Sequence, residues 1–386
     1  MVMNNLIYLD NSATTPVAPE VLDAMTPFFR THYGNASSLH SAGREAHKAV
    51  DAGRQLIAEH LGCQENELVF TSGATEADNL AVLGTALRSD AGGHIISSRI
   101  EHDAVLQSAQ WLTGRGYEVT LLDVDEFGRV DPQAVREALR PDTLLVSIMA
   151  GNNEIGTLEP IREIGEICRE AGVPFHTDAV QAYGKIDLPL DVIDLLSASA
   201  HKLHGPKGVG VLYVRNGVKL APLLHGGGHE RGRRSGTENV PGIVGMAEAT
   251  RLAFEERETV TERMRAFRRR VIESVLALPG TRLNGHPTDS LPHIANFSFE
   301  AIEGESLIMK LDEFGIAAST GSACSSPNLT ASHVLVALGV PLSMAHGSLR
   351  ISTGRQTTNG EIDALLDALP IAVERLREIS PFKVGG

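Results

Sequence analysis

From about residue 74 to residue 214, short apolar runs rich in β-branched residues alternate with helical patterns, and this alternation constrains the fold more than any other feature. Strands are expected over 67–71, 94–98, 118–123, 144–149, 174–177, 195–199 and 208–214, with helices over 75–88, 103–114, 132–139 and 161–171. Strands that are apolar on both faces and separated by helices pair as a mostly parallel sheet covered on both sides. Beyond it, 240–278 reads as one long helix rich in Glu and Arg. Extended segments near 293–299 and 348–352, with helices near 305–314 and 360–376, describe a smaller α+β domain. A chain of 386 residues can bury two such cores. The expected division is a large α/β domain over 16–255 and a smaller domain built from 1–15 and 256–386.

A strand followed by a lysine opens the chemistry. In Ser199-Ala200-His201-Lys202 the lysine leaves an apolar strand where its ammonium is partly desolvated, which lowers its pKa and frees the amine to attack a carbonyl. Taken alone, such a lysine more often points into water. His176-Thr177-Asp178-Ala179-Val180-Gln181 ends the preceding strand, and Asp178 there serves equally as a helix N-cap or as a carboxylate for a cationic ring nitrogen. Thr71-Ser72-Gly73-Ala74-Thr75-Glu76 runs from a strand through glycine into a helix start, either a plain cap or a phosphate cradle of backbone N–H groups. His102 follows a further strand, as a polar loop residue or as an imidazole that stacks on a ring and handles protons. The glycine-rich stretch from Gly226 to Thr237 can bring backbone close to a ligand.

Cysteine usage separates two kinds of thiol. Cys324 lies in Ser319-Thr320-Gly321-Ser322-Ala323-Cys324-Ser325-Ser326, whose small side chains leave it uncovered, as a nucleophile requires. Cys63 and Cys168 fall in a helix or at its end among apolar neighbours and read as core residues. Three cysteines cannot all pair within one chain, and no His/Cys spacing supports a zinc site. A reduced, cytoplasmic setting is expected, since the N-terminus also lacks the basic start and apolar run of a secretory signal. No run of ~18 apolar residues is present, so no membrane-spanning helix is expected. The formal net charge of −14 argues against a broad nucleic-acid footprint, although Arg231 to Arg234 form a local basic patch.

With these pieces in order, the chain closely resembles the cysteine desulfurases of the class V aminotransferase group, pyridoxal-phosphate (PLP) fold type I. Within that group it is similar to the subgroup serving iron–sulfur cluster assembly and nitrogenase maturation. The likeness covers nearly the whole chain. It starts at Tyr8-Leu9-Asp10-Asn11-Ser12-Ala13-Thr14 and runs through Gly73-Ala74-Thr75-Glu76, Glu101-His102 and Asn152-Asn153-Glu154. It continues through Asp178-Ala179-Val180-Gln181, His201-Lys202, Arg234-Ser235-Gly236-Thr237, Gly321-Ser322-Ala323-Cys324 and Ser348-Leu349-Arg350.

The resemblance implies a PLP-dependent transferase fold and a role for each matching residue. Lys202 would hold PLP and later shuttle the Cα proton. Asp178 would pair with the pyridine nitrogen, Gln181 with the phenolic oxygen, and His102 would stack on the ring. Ala74, Thr75, Ser199 and His201 would hold the phosphate, joined by Thr237 reaching across from the other subunit of a homodimer. Asn153 and Arg350 would bind the carboxylate of L-cysteine. Cys324 would accept the sulfur as a persulfide, leaving alanine, and could also ligate a transient iron–sulfur cluster. The implied partner is an iron–sulfur scaffold or another sulfur acceptor. Two departures touch that partner and the cysteine loop. The chain ends at Gly386 without the longer tail some members use for docking, and Pro327-Asn328-Leu329-Thr330 stands where the family often has a Leu-Glu-Pro-Ser run. A selenocysteine lyase or another enzyme of the same fold is the alternative.

Overall fold

A computed structural model of the chain describes residues 6–321 and 331–384. The catalytic candidate Cys324 lies outside the described residues. In chain order the N-terminal part contains β1 (Ile7–Tyr8), α1 (Pro19–Met25), α2 (Pro27–Arg30), α3 (Ser41–Leu61), β2 (Leu68–Thr71) and α4 (Ala74–Ala86). There follow β3 (Gly93–Ser98), α5 (Asp103–Thr113), β4 (Tyr117–Leu122), α6 (Pro132–Ala138), β5 (Thr143–Ser147), α7 (Ile161–Ala171), β6 (Phe175–Asp178), β7 (Leu195–Ser199) and β8 (Gly210–Val214). The C-terminal part holds α8 (Val240–Glu255), α9 (Arg257–Leu276), β9 (Thr281–Asn284), β10 (Ile294–Phe299), α10 (Gly304–Asp312), β11 (Ile316–Ala317), α11 (His333–Ala337), α12 (Leu342–Ala345), β12 (Ser348–Ser352) and α13 (Asn359–Ile379).

The expected sheet is present. Seven strands line up in the order β2-β8-β7-β6-β5-β3-β4, parallel throughout except for β8, which runs antiparallel to both neighbours. Its central strands β6, β7 and β8 are buried at every position, because helices cover both faces. One core packs α1, α3, α7 and α8 against one side through residues such as Val50, Ile57, Ile164, Ile243 and Met246. The opposite core sets Ala77, Leu80, Ala81 and Val105 of α4 and α5 against Val69, Ile95, Leu145 and Leu212. Full burial of each larger aliphatic side chain contributes roughly 1.5–3 kcal/mol.

A second sheet, β12-β10-β9, is antiparallel and packs Phe297, Phe299, Leu349 and Ile351 against Phe267 and Val271 of α9, Leu307 of α10 and Leu365 and Val373 of α13. The N-terminal strand β1 pairs in parallel with β11, Ile7 opposite Ile316, so the chain's start is tied to its C-terminal half.

The single helix expected over 240–278 is a correction: it is two helices, broken at Glu256 (φ −93°, ψ −2°). Arg355 draws the Glu256 carboxylate into a two-point ion pair, with Nε–Oε2 2.6 Å and Nη2–Oε1 2.7 Å, and this anchor fixes the break. Cys168 is buried in α7, and Cys63 follows Gly62, the left-handed cap of α3, against the same core. Burial pushes both thiols up to about 12, so both are inert at neutral pH.

Candidate active site

The parallel strands β3, β5, β6 and β7 all end towards one crevice, the place where an open α/β sheet offers its backbone ends and loops to a ligand. A cavity of about 1880 Å³ opens there. It is lined by Lys202, Asp178, Gln181, Ser199, His201, Ala74, Thr75, His102, Asn153 and Arg350, so most of the candidate residues share one wall-to-wall site.

Lys202 closes a single 3-10 turn, Ala200–Lys202, directly after β7. Its Nζ donates to the carbonyl oxygens of Ser12 at 2.5 Å and Ala13 at 2.7 Å. Burial, with a further push from Arg350, brings its pKa down to about 8, while Asp178 and Asp10 pull the other way. Lys185 donates from below to the backbone oxygen of Lys202 at 3.1 Å, and burial lowers its own pKa to about 7.

Asp178 is the last residue of β6 and is 6% exposed. Its Oδ1 accepts from the Val180 N–H at 2.9 Å. Burial holds its carboxyl above the usual range, against the opposing pull of His102, the Val180 hydrogen bond and Lys202. Behind it lies a polar layer within the sheet. His176, fully buried, meets Ser147 Oγ at 2.8 Å, Ser197 Oγ at 3.0 Å and Asp78 Oδ1 at 3.6 Å. Burial drives the His176 pKa down to about 3 and raises the Asp78 carboxyl well above its ordinary value. Glu101, whose Oε1 accepts from Ser98 Oγ at 2.7 Å and the Met149 N–H at 3.0 Å, is likewise pushed up to about 8 by burial.

The phosphate-cradle candidate is built at the start of α4. Gly73 takes φ +152°, a value that favours glycine, and turns β2 into the helix without any side-chain cap. Gly210 packs so closely that an added Cβ would stand 2.8 Å from Gly73. Ser199 and His201 line the same cavity. His201 Nδ1 meets Thr14 Oγ1 at 3.1 Å, and burial followed by repulsion from Lys202 lowers its pKa to about 4.

His102 is exposed at the cavity edge and caps α5, its Nδ1 accepting from the Ala104 N–H at 3.1 Å. A neutral His102 therefore carries its proton on Nε2. Arg350 rises from β12, 4% exposed, with Nη2 2.8 Å from Asp10 Oδ1 and Nη1 2.9 Å from the Asn153 carbonyl. Its Nε is buried with no hydrogen-bond partner among the described residues. Thr237 does not line this cavity; it is exposed on a loop tied by an Arg234–Glu76 ion pair of 2.8 Å to the first turn of α4.

Asp10, Ser12, Asp78, Glu101, Lys185 and His293 take part in the site although residue patterns alone gave them no role. Asp10 and Ser12 stand in the N-terminal motif, whose position beside Lys202 follows only from the fold. Among the described residues, no group of three or more His, Cys, Asp or Glu is arranged to hold a metal ion, and no helix is long and apolar enough to cross a membrane.

Comparison with known proteins extends over the whole chain. It is 53% identical over 383 residues to a cysteine desulfurase IscS from Methanosarcina thermophila, covering 98% of this chain and 94% of that one. A cysteine desulfurase IscS from Clostridium botulinum (strain Hall) is 50% identical over 386 residues, covering 98% and 97%. Among solved structures, a NifS-like protein superposes with a TM-score of 0.89 at 38% identity, covering 97% of this chain and 99% of that one. A structure described as SspA in complex with cysteine gives 0.81 at 37% identity, covering 91% and 99%. The profile of the class-V aminotransferases matches residues 7–365, and with the lysine and aspartate brought together at the ends of β7 and β6 this chain belongs to that family.

Proposed function

We propose that this chain is a PLP-dependent cysteine desulfurase, converting L-cysteine to L-alanine and a persulfide on Cys324. What carries this is the convergence of Lys202, Asp178 and Arg350 in one cavity, in a chain so similar to proteins named cysteine desulfurase.

The residues fit the cofactor. Asp178 is buried and, among the described residues, no cationic group hydrogen-bonds its carboxyl, a place that a protonated pyridine nitrogen would fill. The uncapped N–H groups at the start of α4, with Thr75, Ser199 and His201, suit a phosphate. Lys202, at about 8, offers a neutral amine to an aldehyde at mildly alkaline pH. With PLP bound, Gln181 would meet the phenolic oxygen and His102 would stack on the ring; both line the cavity. When bound, PLP supplies the electron sink that makes the substrate's Cα proton acidic.

The chain's own groups do the rest. The Arg350 guanidinium, which lines the cavity with Asn153 beside it, takes the substrate carboxylate. Lys202 Nζ would remove the substrate's Cα proton and later return a proton. Cys324 attacks as thiolate: its sulfur bonds to the substrate sulfur as the Cβ–S bond breaks. The electron pair of that bond goes to the substrate carbon, which gains a proton and leaves as alanine. Cys324 is thereby oxidised to the persulfide and the substrate carbon reduced, with no outside oxidant.

The enzyme acts as a cytoplasmic homodimer, with Thr237 completing the phosphate site of the other subunit; its exposure outside its own cavity supports this. Residues 16–255 serve as the PLP-binding domain, and 1–15 with 256–386 as the smaller domain carrying the Cys324 loop. The sulfur goes to an iron–sulfur scaffold or another acceptor making sulfur-containing cofactors. Measuring alanine and reductant-released sulfide from L-cysteine tests the reaction. Equal amounts of both are expected, whereas turnover of selenocysteine with none of cysteine would mark a selenocysteine lyase.

A further inference from the structure

A glutamine amide has a donating and an accepting end, and Gln181 is held so that the two cannot exchange. Its Nε2 faces the carbonyl oxygen of Ser12 at 3.0 Å. A carbonyl only accepts, so the NH₂ end must lie there. The amide oxygen Oε1 then faces His293 Nε2 at 3.1 Å, and that nitrogen must carry the proton. Only one of the two Nε2 hydrogens of Gln181 is used by Ser12, and the other is left for the cavity that Gln181 lines.

His293 is built for this single contact. It is 2% exposed, directly precedes β10, and its backbone oxygen accepts from the Thr353 N–H at 3.0 Å. Its Nδ1 is buried with no partner among the described residues, so the ring has one hydrogen bond and it goes to Gln181. Burial and the nearby cations Lys185, Arg350 and Lys202 all hold the ring neutral, which keeps the second nitrogen bare.

We infer that His293 is a positioning residue that locks the Gln181 amide with its N–H aimed into the cavity, as a fixed donor to the phenolic oxygen of PLP. The assignment rests on the proposed function, in which Gln181 meets that oxygen. The lock is two-sided. Ser12 holds the donating end and His293, 112 residues beyond Gln181, the accepting end. Without His293 the amide oxygen is left buried and unpaired, and the amide can turn it towards a phenolate oxygen, where two acceptors repel.

The test uses the holoenzyme in four forms: wild type, His293→Leu, His293→Gln and Gln181→Ala. Each is stripped of PLP and titrated back with it, and the pH midpoint of the rebound cofactor's visible band is measured. His293→Leu is expected to weaken PLP about tenfold, the loss of one well-placed hydrogen bond. It should also raise the midpoint, because a phenolate that has lost a donor holds its neighbouring proton more tightly. Gln181→Ala should move both in the same direction. His293→Gln, which offers an N–H near the Nε2 position, should return both towards wild type. If Gln181→Ala shifts affinity and midpoint while His293→Leu leaves them at wild-type values, the inference is wrong and the role of Gln181 stands. If Gln181→Ala shifts neither, the underlying placement of the phenolic oxygen is wrong as well. Independently of any variant's folding, ¹⁵N spectra of wild-type His293 should show a protonated Nε2 and a bare Nδ1 from pH 5 to 9. A proton on Nδ1 would overturn the lock.

Discussion

Lys202 Nζ and Gln181 Nε2 donate to the same atom, the carbonyl oxygen of Ser12, at 2.5 and 3.0 Å. The N-terminal segment thus orients two residues that lie far along the chain, and it occupies the space beside the lysine before any ligand arrives. Burial, reinforced by Arg350, biases the lysine towards the neutral amine.

That bias sets a pH dependence. An ordinary lysine loses its proton near 10.5, whereas Lys202 does so at about 8. Protonated amine cannot attack an aldehyde, so PLP uptake by the apoprotein should be slow below this value and rise through it to a plateau. Stopped-flow absorbance against pH checks this, and a rise delayed to about 10 would contradict the lowered pKa.

Arg350→Lys should keep the positive charge but lose the planar fork. The expected result is a KM for L-cysteine raised about tenfold to a hundredfold, the loss of one charge-assisted contact. Steady-state kinetics read it, and an unchanged KM would move the carboxylate site elsewhere.

Asp178→Asn keeps the shape and the Val180 hydrogen bond but removes the charge that the proposed function sets against the pyridine nitrogen. PLP should still attach to Lys202, while kcat falls at least about a hundredfold. Borohydride reduction followed by peptide mapping confirms the attachment, and turnover measures the loss.

A stability prediction is independent of the chemistry. Glu230, on the glycine-rich loop at φ +49°, forms a two-point ion pair with Arg54 at 2.6 and 2.9 Å and accepts from the Phe70 N–H at 2.9 Å, both side chains under 10% exposed. Glu230→Ala strands the Arg54 charge in the interior and should cost about 3–5 kcal/mol. Denaturant unfolding of the holoprotein measures it, compared with Asp123→Ala, which breaks the exposed Arg99–Asp123 pair.

The sheet was legible in the sequence because strands apolar on both faces leave a signal that needs no tertiary information. The seven expected runs agree with β2 to β8 within two residues at each end. The break at Glu256 was hidden, since no glycine or proline marks it and its cause, Arg355, lies 99 residues away. The helix Ser41–Leu61 leaves a weaker signal: Ala46, Val50, Gly53 and Ile57 repeat at helical spacing, but polar residues fill the rest. In the site, Lys202, Asp178 and Arg350 could be named because their chemistry is carried by residue type and motif. Asp78 and His293 could not. Each matters only through the partner it meets across the fold, His176 on β6 and Gln181 beyond it.

Sulfur transfer to Cys324 is the central claim, and intact-protein mass after adding L-cysteine without reductant tests it most directly. Wild type should gain one sulfur atom, mapped to the peptide holding Cys324. Cys324→Ser should still bind PLP and change its spectrum with cysteine, yet gain no sulfur and release only background sulfide when reductant is added. Near-normal sulfide release by the serine variant would contradict the claim, because the sulfur would then leave the substrate without passing through a protein thiol.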